Sequence, residues 1–284
     1  MGQWQPPSIS YDAPPLVEVA VSVQFDPPKG LNQAHLGAFW VTQRVSLPHV
    51  RAVPPIGTTN ESFGDQGGWL PPALQLALTN EPECRLQMTS SDDQWMCQVQ
   101  RNRIVVNWRK RREQYPRFSA AWRRFQELWQ AWQAFLADSA LEPLTAQLWE
   151  LTYVNRIPKD NLWTSPSDWP NVFPGLWGGD FATVDGANLQ GFQGQWVWQS
   201  ENPVARLYVE PRPGRSAEQP HEEVLLLTLT ARGPIAPSNT ENPPTGDDAV
   251  EFGINCGHSL IVTTFDRIGS DNAKNVWRRH DDLD

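Results

Sequence analysis

Apolar residues occupy every second position near the start of the chain: Val17, Val19, Val21, Val23 and Phe25. This period-two pattern predicts a strand over residues 16–25 with one apolar face. The same alternation recurs in residues 147–157, where Trp149 and Tyr153 lie on one side and Glu150 on the other. Shorter patterns of this kind, separated by turn residues, predict further strands over residues 84–90, 94–100, 103–109, 190–199, 204–211 and 223–232.

A second pattern has the period of a helix. Large apolar residues recur at spacings of four, three, four, three and four: Phe118, Trp122, Phe125, Trp129, Trp132 and Leu136. This spacing predicts an amphipathic helix over residues 118–138 whose aromatic side packs into a core. Further helices are predicted over residues 31–45, 248–267 and 271–279, and only a short one in the proline-broken stretch 161–177. Residues 1–14 read as an irregular arm and residues 48–73 as a long loop.

The order of these elements is the same in both halves of the chain. Each half reads β-α-β-β-β-α, and the split falls near residue 142, although little residue identity is visible between the halves. We therefore predict an α+β fold with pseudo-duplicated units at residues 15–141 and 142–284, forming one continuous globular body. The expected sheet is antiparallel and strongly curved, packed by the long helices in a helix-grip or saddle-like arrangement.

The composition excludes several classes of protein. Hydrophobic residues make up 39% of the 284 residues, too many for a fully disordered chain. No apolar run approaches the roughly 18 residues of a membrane-spanning helix, and the first residues lack the basic and apolar regions of a secretory signal. Three cysteines without a CxxC motif favour unpaired thiols in a reducing compartment. We therefore expect a cytoplasmic protein with no membrane partner.

Charge is unevenly distributed along the chain. Residues 101–124 carry nine basic residues and one acidic residue, a net charge of +8, so the rest of the chain carries −17. Such a basic segment on an acidic body could steer an anionic partner. It could equally be a solvated surface whose cations pair with carboxylates of the acidic body.

The usual catalytic motifs do not occur. There is no HExxH, no GxSxG, no Rossmann glycine motif and no P-loop. Cys256 and His258 are two residues apart, so on a helix they would not share a face, and His258 is expected to be a core histidine with its polar atoms satisfied. Glu18 and Glu150 occupy corresponding first strands and could form an acid–base pair, or simply point outward. We predict no catalytic residues, cofactor or metal ligands.

Several short motifs follow one another along nearly the whole chain: PPLVEV at 14–19, QVQRNR at 98–103, IVVNWR at 104–109, YPRF at 115–118, ELTYVN at 150–155, and Gly257-His258-Ser259 with Phe265 and Trp277. In this order they resemble a sporadically distributed, largely uncharacterised bacterial and archaeal family with a PPLVEV strand, a VNWR strand and a Trp-rich helix. The resemblance supplies no established activity, so no catalytic residues can be transferred from it to this chain. Its patchy distribution is similar to that of toxin–antitoxin and phage-defence genes.

We predict a non-catalytic binding protein that engages a protein partner, such as an effector, toxin or defence component. Its predicted contact residues are Arg101, Arg103, Trp108, Arg109, Arg111, Arg112, Tyr115 and Arg117, because tryptophan, tyrosine and arginine are favoured interface anchors. One alternative is nucleic-acid binding through the same segment, which a steep loss of affinity with salt would reveal. The other is a small-molecule pocket, with or without catalysis, between the sheet and the Trp-rich helix. A largely apolar cavity with a few convergent polar groups would mark it.

Overall fold

Strands from both halves of the chain form one antiparallel sheet. The computed structural model describes residues 9–63, 83–111, 115–177, 188–216, 221–235 and 244–281. In chain order the strands are β1 (Ile9–Tyr11), β2 (Leu16–Phe25), β3 (His49–Val53), β4 (Arg85–Thr89), β5 (Trp95–Gln100), β6 (Arg103–Arg109), β7 (Ala146–Pro158), β8 (Trp196–Glu201), β9 (Val204–Arg215), β10 (Glu223–Pro234) and β11 (Arg279–Asp281). Nine of them are ordered β3-β4-β5-β6-β2-β7-β10-β9-β8, and β1 pairs separately with β11.

The two halves meet at the pair of long central strands. β2 and β7 are antiparallel neighbours, with Val21 opposite Leu151. Moving outward from this pair, the order β6-β5-β4 on one side corresponds to β10-β9-β8 on the other. The predicted α+β class with a large antiparallel sheet is confirmed. The predicted strong curvature is wrong: the nine-stranded sheet formed by the two halves is not strongly curved.

All the long helices pack on one face of this sheet. The helices are α1 (Gln33–Gln43), α2 (Phe118–Asp138), α3 (Trp169–Val172), α4 (Gly246–Ile268) and α5 (Asp271–Val276), with a 3₁₀ turn Pro166–Asp168 before α3. α2 covers β6 and β2, whereas α4 covers β7 and β10. The Trp129 indole donates to Asp247 (2.7 Å), and so ties α2 to the first turn of α4. Within the described ranges, none of these helices is long and apolar enough to cross a membrane.

The alternation of apolar and polar residues along the strands explains why the helices pack on this face. Val19, Val21 and Val23 of β2 are fully buried beneath them. The largest side chain of β7 on this face, Trp149, fits against glycines of α4. A Cβ atom on Gly253 would lie 2.3 Å from Cδ1 of the Trp149 indole, so this helix can approach the sheet only with glycine there.

Two short strands differ from the sequence prediction. Part of the supposed irregular arm, Ile9–Tyr11, is β1, and it pairs with the C-terminal β11. The first residues of the supposed loop 48–73 form β3, an edge strand that pairs with β4. Residues 64–73 of that predicted loop lie outside the described residues. Both strands are short and take their pairing from partners distant in sequence, so they leave no clear alternation.

Candidate ligand-binding cleft

A cleft opens where α2 begins and α4 continues. The two helices are antiparallel, with Phe118 beside His258 at one end and Trp129 beside Asp247 at the other. α4 extends ten residues past His258 to Ile268, whereas α2 has no residue before Phe118 to accompany it. The sheet surface left uncovered forms the floor of a cavity of about 600 Å³. This volume lies within the range of small-molecule sites in proteins.

Aromatic and aliphatic side chains dominate the walls of the cleft, and a few polar groups converge among them. The floor is formed by Leu16, Tyr153, Asn155 and Leu229. α2 contributes Phe118, Ser119 and Trp122, and α4 contributes Glu251, Asn255, His258, Ile261, Val262 and Phe265. The remaining wall residues belong to the arm and the segment before α2: Ile9, Ser10, Tyr11, Pro14, Tyr115 and Arg117.

Three polar side chains form a chain of hydrogen bonds in the cleft wall. The Tyr115 hydroxyl lies 3.3 Å from the Tyr153 hydroxyl, which lies 2.9 Å from Nδ1 of His258. The imidazole of His258 stacks on the Phe118 ring, with centroids 3.9 Å apart and planes 9° from parallel. His258 therefore has one ring nitrogen satisfied and one face covered, as expected from the sequence, but it lines a cavity instead of a filled core.

Burial keeps all three groups neutral. It lowers the pKa of His258 to about 3, so the imidazole carries no charge at neutral pH. It raises the pKa of Tyr115 and of Tyr153 well above the ordinary tyrosine value. A histidine of such low basicity is poorly suited to general-base chemistry near neutral pH. The arrangement is suited to forming hydrogen bonds with an uncharged part of the protein or with a ligand.

The β1–β11 pair and the segment before α2 close one side of the cleft. Arg117, which precedes α2 with a left-handed φ of +71°, donates to the Ser10 hydroxyl and to the Tyr11 carbonyl (3.2 Å). The Tyr11 hydroxyl in turn donates to Asp266 of α4 (2.8 Å), which also accepts from Arg279 of β11 (2.8 Å). These contacts hold the β1–β11 pair beside the cleft.

The basic segment is largely paired with acidic residues of the same chain. Arg101 pairs with Glu83 (2.7 Å), and both Arg109 and Arg111 pair with Asp93. The side chains of Arg101 and Arg111 remain about 40% exposed, whereas that of Arg109 is only 14% exposed. Arg109 and Arg101 lie at opposite ends of β6, so these cations do not share one continuous patch.

The other predicted contact residues lie elsewhere. Trp108 is fully buried under the helices and packs against Tyr115, with ring centroids 5.2 Å apart. Arg103 is buried on the opposite face of the sheet, and Arg117 supports the side of the cleft. Arg112 lies outside the described residues. The eight residues thus occupy several environments, and partner binding by the exposed ones stays a prediction.

The face of the sheet opposite the described helices carries a ladder of buried amides. Arg51 donates to Gln87 (2.7 Å), Gln87 to Gln98 (2.9 Å), Gln98 to Asn107 (2.7 Å) and Asn107 to Glu18 (2.6 Å). The ladder crosses five neighbouring strands from β3 to β2 and links a cation to an anion. Burial raises the pKa of Glu18 above the ordinary glutamate value, while the bond from Asn107 acts in the opposite direction.

Glu150 belongs to a second polar group on this face. It pairs with Arg232 (2.9 Å) and Arg103 (3.5 Å), and Arg232 also contacts Glu61 (3.3 Å). Glu150 lies opposite Ser22 in the β2–β7 register, four residues along the strand from Glu18, or roughly 13 Å. The structure therefore does not bring these two glutamates together as an acid–base pair.

The segment 54–63, which we call the strap, lies across this polar face. Gln24 and the backbone of Thr59 exchange two hydrogen bonds (2.8 and 3.0 Å), and Gln100 does the same with Ile56 (2.9 and 2.8 Å). Glu61 then accepts from the buried Arg206 (2.9 Å). Side chains of the sheet thus supply hydrogen-bond partners to the strap along its length.

Cysteine and metal chemistry have no evident site here. Cys84, Cys97 and Cys256 are all unpaired, and burial raises the pKa of Cys256 to about 11. Cys256 is buried on a different side of α4 from the cleft, so it does not act with His258. Across the described part of the chain, no group of three or more His, Cys, Asp or Glu side chains is arranged to hold a metal ion.

A scan of protein-family models finds no match to the chain, and a search of curated protein sequences finds no significant match. The family resemblance drawn from the PPLVEV and VNWR motifs therefore stays a prediction.

Neither the polar stripe of α4 nor Tyr153 was predicted from the sequence as part of a site. Glu251, Asn255, His258 and Val262 recur at spacings of four, three and four, which places them on one side of the helix. Three polar residues at this spacing were the available signal, but α4 has further polar residues on its other sides, which obscure it. Tyr153 carried no such signal, because its place in the alternating pattern of β7 is that of an ordinary core residue.

Proposed function

We propose that this protein binds a small molecule in the cleft between α2, α4 and the sheet. The observation that carries the proposal is the cavity of about 600 Å³, walled by apolar side chains around Tyr153, Asn255 and His258. Apolar walls supply binding energy through burial, and a few placed polar groups orient the ligand. The hydrogen-bonding groups in the wall, Tyr115, Tyr153 and His258, are suited to orienting a bound ligand.

We also propose two finer features of the architecture, an internal duplication and a helix-grip arrangement. We interpret the matching strand orders on either side of β2 and β7 as an internal duplication of the predicted halves. We interpret the two helices over the sheet, with a cleft between them, as a helix-grip arrangement. Three unpaired cysteines support a location in the cytoplasm, where thiols stay reduced.

Filling the cleft tests the proposal. Val262 lines the cavity, whereas its neighbour Thr263 is exposed on the outer side of α4, so Val262→Trp and Thr263→Trp form a matched pair. The proteins are incubated with a small-molecule extract of the source cells and analysed by native mass spectrometry. We expect the wild type and Thr263→Trp to retain the same adducts and Val262→Trp to lose them. Equal retention by both variants contradicts the proposal.

Binding of a protein partner through the basic segment stays a second proposal, supported by the exposed guanidinium groups of Arg101 and Arg111. Reversing both to Glu should abolish capture of such a partner and leave the fold intact. If the captured molecule is a nucleic acid, its affinity should instead fall steeply with salt. Unchanged capture by the folded double variant excludes these two residues as the contact.

A further inference from the structure

The available partners in the Tyr115–Tyr153–His258 chain favour one direction of donation. Among the described residues, the hydroxyl of Tyr115 has the Tyr153 oxygen as its one acceptor, so both hydroxyl hydrogens are bonded when Tyr115 donates to Tyr153. Tyr153 then donates its own hydrogen to Nδ1 of His258. A neutral imidazole whose Nδ1 accepts must carry its hydrogen on Nε2. His258 is therefore a hydrogen-bond donor at its second nitrogen.

This second nitrogen is available to a ligand. Nε2 of His258 has no partner in the described part of the chain, and the residue lines the cleft. In the reverse direction, the partly buried Tyr115 hydroxyl would find no acceptor among the described residues. The cleft therefore offers an N–H group, and its ligand should supply an acceptor atom.

The start of α2 adds positive potential beside this donor. Arg117, at the N-cap position, caps none of the first backbone N–H groups with its side chain, and the first turn contains no acidic residue. Phe118, the first residue of the helix, stacks directly on the His258 ring. Unpaired N–H groups and the helix dipole favour an anion at this end of a helix.

We propose that the ligand is an apolar monocarboxylic acid whose carboxylate accepts from Nε2–H of His258 near the first turn of α2. The inference rests on the proposed small-molecule function and specifies its ligand class. The apolar body lies among Leu16, Ile261 and Phe265. Glu251, the carboxylate among the lining residues, lies seven residues from His258 on α4, roughly 10 Å away along the helix. It disfavours a second acidic group on the ligand.

Matched acids and esters test the ligand class. Octanoic acid, decanoic acid and naphthalene-2-acetic acid are compared with their methyl esters by calorimetric titration of the full chain. In the wild type we expect each binding acid to have a Kd about tenfold lower than its ester, the effect of one hydrogen bond to a charged group. His258→Phe should remove this preference and leave the Kd of the ester within about threefold. Thr263→Val, on the outer side of α4, is the matched control and should retain the preference.

Tyr153 is assigned a positioning role, because it acts through His258. Tyr153→Phe should reduce the preference for the acid severalfold while the ester binds as before. A long-range ¹H–¹⁵N spectrum of the wild type should place the hydrogen of His258 on Nε2, and this measurement does not depend on any variant folding. A hydrogen found on Nδ1 overturns the inference.

The outcomes separate the inference from the proposed function. Esters that bind as tightly as their acids in the wild type overturn the carboxylate and leave small-molecule binding in place. If an ester binds and no acid does, the carboxylate is likewise overturned and small-molecule binding stays in place. If neither acids nor esters bind, the proposed ligand class is overturned. If Val262→Trp also retains every adduct, the proposed small-molecule function is overturned with it.

Discussion

The two faces of the nine-stranded sheet are built from alternate residues of the same strands, but they are stabilised by different interactions. On the helical face, Val21 and its neighbours are fully buried beneath α2 and α4. On the opposite face, Gln98, Arg103 and Asn107 are equally inaccessible, although all are polar. Burial alone therefore does not distinguish the faces. What distinguishes them is whether the buried atoms need partners.

This difference places the cavity on the helical face. Apolar atoms need no hydrogen-bond partner. A gap between the helices on the helical face therefore costs only the van der Waals contacts that are lost. On the polar face, buried amide and guanidinium groups need hydrogen-bond partners, and the ladder and the strap supply many of them in a fixed geometry. We expect the helical face to respond to changes of volume, and the polar face to respond to the loss of a partner.

The largest effect should come from the centre of the helical face. Trp132 of α2 is fully buried and packs edge-on against Phe39, with ring centroids 4.8 Å apart. Trp132→Ala should lower the free energy of unfolding by about 3–5 kcal/mol, because the indole leaves a large cavity. Urea denaturation measures this value. Trp198 on the edge strand β8 is 41% exposed, and Trp198→Ala is the control. Equal losses in the two variants would contradict a core role for Trp132.

A comparable loss on the polar face should have a different cause. Glu61→Ala leaves the buried Arg206 without its carboxylate, and we expect a loss of about 3 kcal/mol. Replacing the pair together, Glu61→Leu with Arg206→Met, should recover most of it, since no unpaired charge then remains. Glu127→Ala, which breaks an exposed pair with Arg124, should change little. A double variant no more stable than the single one would show that the strap needs the ion pair itself.

A smaller effect is expected within the amide ladder. Gln98→Leu conserves much of the side-chain volume but leaves Gln87 without an acceptor and Asn107 without a donor. We expect a loss of about 1–3 kcal/mol from these unsatisfied groups. Gln130→Leu on the exposed side of α2 is the matched substitution. If both substitutions are neutral in urea denaturation, the ladder does not contribute to stability.

At neutral pH the smallest effect should come from the protonation of His258, which changes stability only as the pH is lowered. Its pKa is about 3 in the folded protein and 6.5 when unperturbed, so between these values the unfolded chain binds the extra proton. Stability should therefore fall as the pH is lowered from 6.5 towards 3, and His258 should add nothing above that window. His258→Gln should make this decline shallower, and urea denaturation at several pH values measures the slope. Identical slopes for the wild type and the variant would show that His258 is not buried in its neutral form.

Much of the sheet and its helical face could be predicted from local patterns. The period-two alternation of β2 and β7 and the aromatic spacing of α2 each report which side of an element is apolar. The strand over residues 16–25 and the helix over residues 118–138 were predicted correctly for this reason. β1, β3 and β11 could not be, because their pairing depends on partners far away in the sequence.

The amino-acid sequence by itself determined the apolar sides of the elements, the α+β class and the clustering of charge in residues 101–124, since these depend only on residue types and their spacing. Only the tertiary structure decided which cations are paired, because Asp93 and Glu83 reach Arg111 and Arg101 through strand pairing. It also decided where the cleft lies. The cavity exists because α4 extends beyond the start of α2 over a continuous sheet. This difference in extent leaves a space only when the two helices pack side by side.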